Sequence, residues 1–201
     1  MAVSQSQSSP LPVIIVMGVS GCGKSSVGAE LAARHGLPFL DADDYHPKAN
    51  VDKMSKGIAL QDDDRWPWFE ILARTINENA DQSGSAVCGC SALKRSYRTY
   101  LSDQVDRPVL YIFLHGSKAL LFDRMSARKD HYMPPSLLES QLATLEEPGS
   151  DENAVAVSID KSVDVDALAC PFVGQGLGQL HDTALWAASH SHSACTDRAP
   201  D

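Results

Sequence analysis

Apolar and polar positions alternate along this chain in a regular order of strand and helix signals. Val13-Ile14-Ile15-Val16-Met17 is a continuous run rich in β-branched residues, bounded by Pro12 and Gly18, and predicts a strand buried on both faces. Val27, Leu31 and Ala32 then recur at helical spacing until Gly36 and Pro38 supply a stop. A short strand over 37–40 runs into Asp41-Ala42-Asp43-Asp44, which delivers polar groups at a strand's carboxyl end, where open α/β sheets bind ligands.

Pro47 to Lys56 predicts a short helix closed by Gly57, and Asp62-Asp63-Asp64 predicts the dipole-favoured start of a longer one carrying Phe69, Leu72 and Ile76. Ala86 to Cys90 is a third strand, Lys94 to Gln104 a helix, and Val109 to Leu114 a fourth strand. Leu120, Leu121 and Met125 support a helix up to Lys129; after Pro134-Pro135, Ser136 to Glu146 is another, with Pro135 as its first residue. Val155 to Ile159 is the last strand. Such alternation predicts an α/β fold in three layers, a parallel five-stranded sheet flanked by helices. The expected domains are a disordered leader over 1–11, a folded α/β domain over 12–169 with a small helical lid near 124–136, and a partly disordered C-terminal segment over 170–201.

Composition narrows the function classes. The 201 residues carry 17 Lys+Arg against 26 Asp+Glu, a formal net charge of −9, which repels nucleic acid and anionic membranes. An anionic substrate then needs a local cationic site. No apolar run is long enough to span a bilayer, and residues 1–9 lack a basic signal-peptide start, so the expectation is a cytoplasmic protein without membrane or nucleic-acid partners. The five cysteines, an odd number without paired CxxC spacings, are expected as reduced, partly buried thiols.

Gly18-Val19-Ser20-Gly21-Cys22-Gly23-Lys24-Ser25, followed by Ser26, matches the phosphate-binding loop GxxxxGK[ST] between a strand and a helix. Backbone N–H groups there curl around phosphate oxygens, Lys24 reaches the β- and γ-phosphates of ATP, and the Ser25 hydroxyl ligates Mg²⁺. Asp41 and Asp43 stand two apart. Asp43 is assigned as the base or orienting group for an attacking hydroxyl and Asp41 as the magnesium-side carboxylate, the competing role for the pair being a helix cap or solvated turn. Arg65, Lys94, Arg95 and Arg98 are candidate anion clamps. Arg124 and Arg128, four apart before Lys129 and His131, suit an arginine-bearing lid, although a solvated helix face has the same pattern. Asp81-Gln82-Ser83-Gly84 matches DxxG but precedes its strand, and no NKxD follows, which argues against a GTPase; His190 and His192 read as polar tail.

In order, MGVSGCGKSSVG at 17–28, FLDADDYHP at 39–47, Asn50, Lys53-Met54, Gly57, Leu60, Arg65 with Pro67-Trp68, CSALKRSYR at 90–98, RMSARKDHYMPPSLLESQLATLEEP at 124–148 and VSID at 157–160 resemble the gluconokinase family of small P-loop kinases. The resemblance covers residues 11–168. It implies a nucleoside-monophosphate-kinase-like fold, commonly a homodimer, and ATP-dependent phosphorylation of D-gluconate at its 6-hydroxyl, which feeds the pentose phosphate pathway. It also implies that Asp43 faces the accepting hydroxyl and that Arg65 with Lys94 holds the carboxylate and polyol. His46, Arg98 and His131 would add substrate contacts, and Arg124 and Arg128 would serve the nucleotide side. Cys22 stands where such loops often carry Ser and puts a thiol beside ATP, an expected point of oxidative sensitivity. Pro171 and the glycines after it replace the usual closing helix. Two alternatives stay open: another small-metabolite kinase of the shikimate kinase type, although Cys88-Gly89-Cys90-Ser91 offers no glycine-rich substrate turn, and a nucleotide-binding regulatory protein without turnover.

Overall fold

The computed structural model describes residues 10–127, 136–165 and 168. Their five strands are β1 (Val13–Met17), β2 (Phe39–Asp41), β3 (Val87–Gly89), β4 (Val109–His115) and β5 (Ala154–Ser158). Every pairing is parallel and the order is β2-β3-β1-β4-β5. Helices α1 (Lys24–His35), α2 (Lys48–Ser55), α3 (Asp62–Ser83), α4 (Arg95–Gln104), α5 (Lys118–Ala127) and α6 (Ser136–Thr144) complete the alternation, with a short 3₁₀ turn at Ala42–Tyr45. The elements read from the sequence are thus present, with β2 starting two residues later than expected and α6 closing two residues early. Residues 1–9, the 128–135 part of the expected lid, Arg128, His131 and the segment over 170–201 lie outside the described residues.

The central strand explains the layers. Side chains alternate across a strand, so Val13, Ile15 and Met17 enter one core with Trp68, Phe69, Leu72 and Ile76 of α3 and Leu101 of α4. Ile14 and Val16 enter the other, with Leu31 of α1, Leu121 of α5 and Leu138 of α6. Both faces of β1 are therefore apolar, and all five of its residues are fully buried.

The crossover direction changes at β1 and β3, adjacent strands whose chains leave toward opposite edges. That is the topological switch point, and ligand crevices form there at the carboxyl ends. The loop after β1 lies beside the loop after β3, joined by Cys90 N–H to the Val16 carbonyl at 3.0 Å and Gly18 N–H to the Ser91 carbonyl at 3.4 Å. Cys22, Cys88 and Cys90 are buried free thiols; Cys170 and Cys195 lie outside the described residues. No described helix is long and apolar enough to cross a membrane.

Candidate active site

The loop after β1 has the conformation its glycines permit. Gly18 has φ +139°, and a Cβ there would lie 2.5 Å from the Leu114 carbonyl oxygen. At Gly21, with φ +84°, a Cβ would lie 2.9 Å from the Leu121 carbonyl oxygen and 3.0 Å from Met125 Cγ, so α5 packs directly on the loop. Gly23 is the left-handed residue that hands the chain into α1, and Lys24, Ser25 and Ser26 form its first turn. Lys24 Nζ donates to the Val19 carbonyl at 3.2 Å, folding the ammonium back over the loop. Arg124, exposed on α5, brings Nη1 to 3.9 Å from where a Cβ on Gly23 would stand. A cation therefore overhangs the helix N-terminus from the far side.

Cys22 is turned the other way. It is 1% exposed and packs among Val19, Leu121, Met125 and Leu138. The expectation of a thiol beside the nucleotide is corrected: the side chain faces the core, where oxidants have little access.

Asp41 and Asp43 do not share an extended strand. Asp41 ends β2 and caps the 3₁₀ turn, its Oδ1 accepting from Asp43 N–H at 3.1 Å, while its Oδ2 accepts from the Ser25 hydroxyl at 2.6 Å. The capping role and the tie to the phosphate loop belong to the same carboxylate. Trp68 pins the turn by donating Nε1–H to the Ala42 carbonyl at 2.9 Å and stacks on His46 at 3.9 Å between ring centres. His46 Nε2 is 3.9 Å from Asp43 Oδ1. Burial, and secondarily the Arg65 charge, pushes the His46 pKa down to about 4, so its ring is neutral at physiological pH.

A cavity open to solvent is lined by Ser20 and Lys24 of the phosphate loop, by Asp43, His46 and Arg65, by Ser91 and Leu93 after β3, and by Gln141 of α6. Two buried polar atoms of its lining residues, His46 Nδ1 and Arg65 Nε, have no hydrogen-bond partner among the described residues. Arg65 is otherwise held by the Leu60 carbonyl at 3.3 Å.

The remaining cations separate. Lys94 does not line the cavity; its ammonium is bound by both oxygens of Asp62, at 2.7 and 2.9 Å, and Asp62 also accepts from the Tyr97 hydroxyl. These bonds, Lys94's first, hold the Asp62 carboxyl below its usual pKa. Lys94 and Arg65 each lie 5.4 Å from the Tyr97 ring centre, so both expected substrate cations sit over the same aromatic ring. Arg98 as a substrate contact is corrected. It is 1% exposed, and its guanidinium is consumed by Glu152 and by the carbonyls of Ala92, Leu93 and Glu146. Ala92 has a left-handed φ of +41°, and Arg98 braces this strained turn from beneath.

Sequence reasoning missed Ser91, Tyr97 and Gln141, each inside a motif but of a type common on solvated surfaces. Only their placement against cavity or cation distinguishes them.

A parallel sheet with a phosphate loop at its switch point and an acidic turn opposite defines a P-loop kinase. The family model described as shikimate kinase matches residues 20–168. Among similar proteins, the gluconokinase of Gluconobacter oxydans is 47% identical over 152 residues, covering 76% of this chain and 85% of that one. A probable gluconokinase of Xenopus tropicalis is 41% identical, with coverages of 76% and 88%. The crystal structure of a gluconokinase from Sinorhizobium meliloti 1021 superposes with a TM-score of 0.68 at 41% identity, covering 91% of this chain and all of that one. The chain belongs to the gluconokinase family, within the shikimate kinase group of P-loop kinases.

Proposed function

We propose that this protein transfers the γ-phosphoryl group of ATP to the 6-hydroxyl of D-gluconate, giving 6-phosphogluconate and ADP, through a kinase domain over residues 12–169. The observation that carries the reading is the cavity itself: the phosphate-loop lysine and an acidic turn share it with Arg65 and His46, each of which keeps one buried nitrogen, Arg65 Nε and His46 Nδ1, without a hydrogen-bond partner among the described residues. Gluconate is a small polyol with one negative charge. It calls for one cation and several hydrogen-bonding groups, and an apolar pocket would serve it poorly.

In this mechanism the backbone N–H groups of Gly21, Gly23, Lys24 and Ser25 and the Lys24 ammonium hold the β- and γ-phosphates, with Arg124 approaching from α5. Asp43 orients the acceptor hydroxyl and takes its proton as the new O–P bond forms and the bond from the γ-phosphorus to the β-phosphate oxygen breaks. Arg65 holds the gluconate carboxylate, and neutral His46 exchanges a hydrogen bond with a polyol hydroxyl. The Ser25 hydroxyl and Asp41 carboxylate are the oxygen donors a hard cation prefers, and no group of three or more potential His, Cys, Asp or Glu ligands occurs among the described residues. That set suits Mg²⁺ held jointly with nucleotide phosphates, where it neutralises phosphate charge. The reading extends to a cytoplasmic location and to a homodimer; the mass of the purified protein in solution tests the dimer.

The shikimate-type alternative and the non-catalytic alternative are separated by one experiment. ADP release is followed with gluconate, other sugar acids, shikimate and AMP as acceptors. Gluconate is expected to give the highest kcat/KM; release no faster than without acceptor, beside turnover of another compound, would remove gluconate as substrate.

A further inference from the structure

Gln141 lies 121 residues from Ser20 in sequence, yet its amide makes two hydrogen bonds to that one residue of the phosphate loop. Its Oε1 accepts from the Ser20 backbone N–H at 2.7 Å, and its Nε2 donates to the Ser20 hydroxyl at 3.3 Å. One helical turn earlier, Leu138 is 1% exposed and packs in the core cluster that contains Val19 and Cys22, which fixes α6 over the loop. Just past the C-terminus of α6, Glu146 N–H donates to the Leu93 carbonyl at 2.8 Å and the Glu146 carbonyl accepts from Arg98 at 2.9 Å. The α6 segment is thus tied to the phosphate loop at one end and to the wall after β3 at the other. Both tied surfaces line the same cavity.

The chemistry of the side chain matches this place. Ser20 is nearly buried, so its N–H requires an acceptor. A carboxylate could accept that bond, but it would set a negative charge beside Lys24 and oppose the incoming phosphates. A neutral amide accepts at one end and donates at the other, so Ser20 fixes its plane. Phosphoryl transfer in turn is sensitive to register: displacement of reacting groups by about 1 Å costs on the order of 100-fold in rate.

We propose that Gln141 is a positioning residue for phosphoryl transfer: through Ser20 it holds the phosphate loop in register with the acceptor-side wall. The inference rests on the kinase reading above and adds to it a residue that touches neither reacting atom.

The test compares full-length wild type, Gln141→Leu and Gln141→Glu by kcat, KM for gluconate, ADP released per phosphorylated acceptor, affinity for a non-hydrolysable ATP analogue, and thermal midpoint. Gln141→Leu is expected to lose roughly 10- to 100-fold in kcat and to release more than one ADP per product, because loop and acceptor are no longer aligned. Its analogue affinity is expected to stay within about threefold of wild type and its midpoint within a few degrees. Gln141→Glu keeps an acceptor for Ser20 N–H but is expected to weaken analogue binding about tenfold, more strongly at low salt. Wild-type kcat and one-to-one stoichiometry in Gln141→Leu would overturn the proposal. So would a joint fall of midpoint, analogue affinity and kcat, which assigns Gln141 to folding alone. If wild type turns over a different acceptor, gluconate is wrong and the same comparison on that acceptor decides Gln141; if it turns over none, both readings fall.

Discussion

Arg98 and Glu152 meet through two parallel hydrogen bonds, Nε to Oε2 at 2.6 Å and Nη2 to Oε1 at 2.8 Å, with both side chains nearly excluded from solvent. The pair joins α4 to the turn before β5 and leaves Nη1 to collect three carbonyls from the strained Ala92-Leu93 turn and the end of the α6 segment. A fork of five donors in one plane suits this task, and a lysine could not replace it.

Removing one partner strands a buried charge. Arg98→Met and Glu152→Ala are each expected to cost about 3–5 kcal/mol of stability in urea unfolding, with Arg98→Lys close behind. The Arg98 hydrogen bond is the main cause that lowers the Glu152 pKa from its usual 4.5. The folded protein therefore binds this proton less readily than the unfolded chain. The stabilisation is complete above about pH 4.5 and disappears as pH falls through the lower folded value, so Glu152→Gln should flatten that part of the acid limb.

His46 contributes a separate acid sensitivity. Its folded pKa of about 4 lies below the ordinary 6.5, so the unfolded chain binds more protons between those values. Stability is fully present above pH 6.5 and falls as pH drops toward 4, by about 3 kcal/mol. His46→Gln is expected to remove this component, seen as a smaller loss of unfolding free energy between pH 6.5 and 4.5. The pH–rate profile of wild type should carry no limb near 6.5 from this residue.

Asp43→Asn keeps the shape of the acidic turn and removes its proton acceptor. Turnover is expected to drop about 10²- to 10⁴-fold while ATP affinity changes less than threefold, measured by steady-state kinetics beside nucleotide titration. Near-normal turnover would place the base elsewhere.

Arg65→Leu removes the cation proposed for the substrate carboxylate. A charge-assisted hydrogen-bond pair of about 1.5–3 kcal/mol corresponds to a 10- to 100-fold rise in the KM for gluconate, with KM for ATP unchanged. Arg65→Lys should recover only part of it, because an ammonium cannot offer the planar fork.

Cys22 lies under the phosphate loop, away from its mouth. Mild thiol oxidants are expected to leave activity intact in the folded protein, and Cys22 labelling should follow global unfolding rather than precede it.

Local chemistry made much of this protein legible in one dimension. The β-branched run at 13–17, the glycines at 18, 21 and 23 and the helical spacing after them each carry their own physical cause, so strand, loop and helix could be placed without a neighbour. The acidic turn was equally visible because Asp41 and Asp43 sit at a strand end. What side chains do at long range was not. Arg98, Lys94 and Arg65 are alike as letters within or near one motif region, yet Arg98 is sealed against Glu152, Lys94 is bound to Asp62, and Arg65 lines the cavity. Gln141 lies inside the 124–148 motif, but nothing beyond its polarity singled it out there. The sequence by itself determined the order of elements, the phosphate loop and the carboxylates opposite it, since these follow from backbone sterics and short-range periodicity. Only the tertiary structure decided which cations remain available to a substrate and which amide touches the loop, because those depend on partners 30 to 120 residues away, brought together by the switch in crossover direction at β1 and β3.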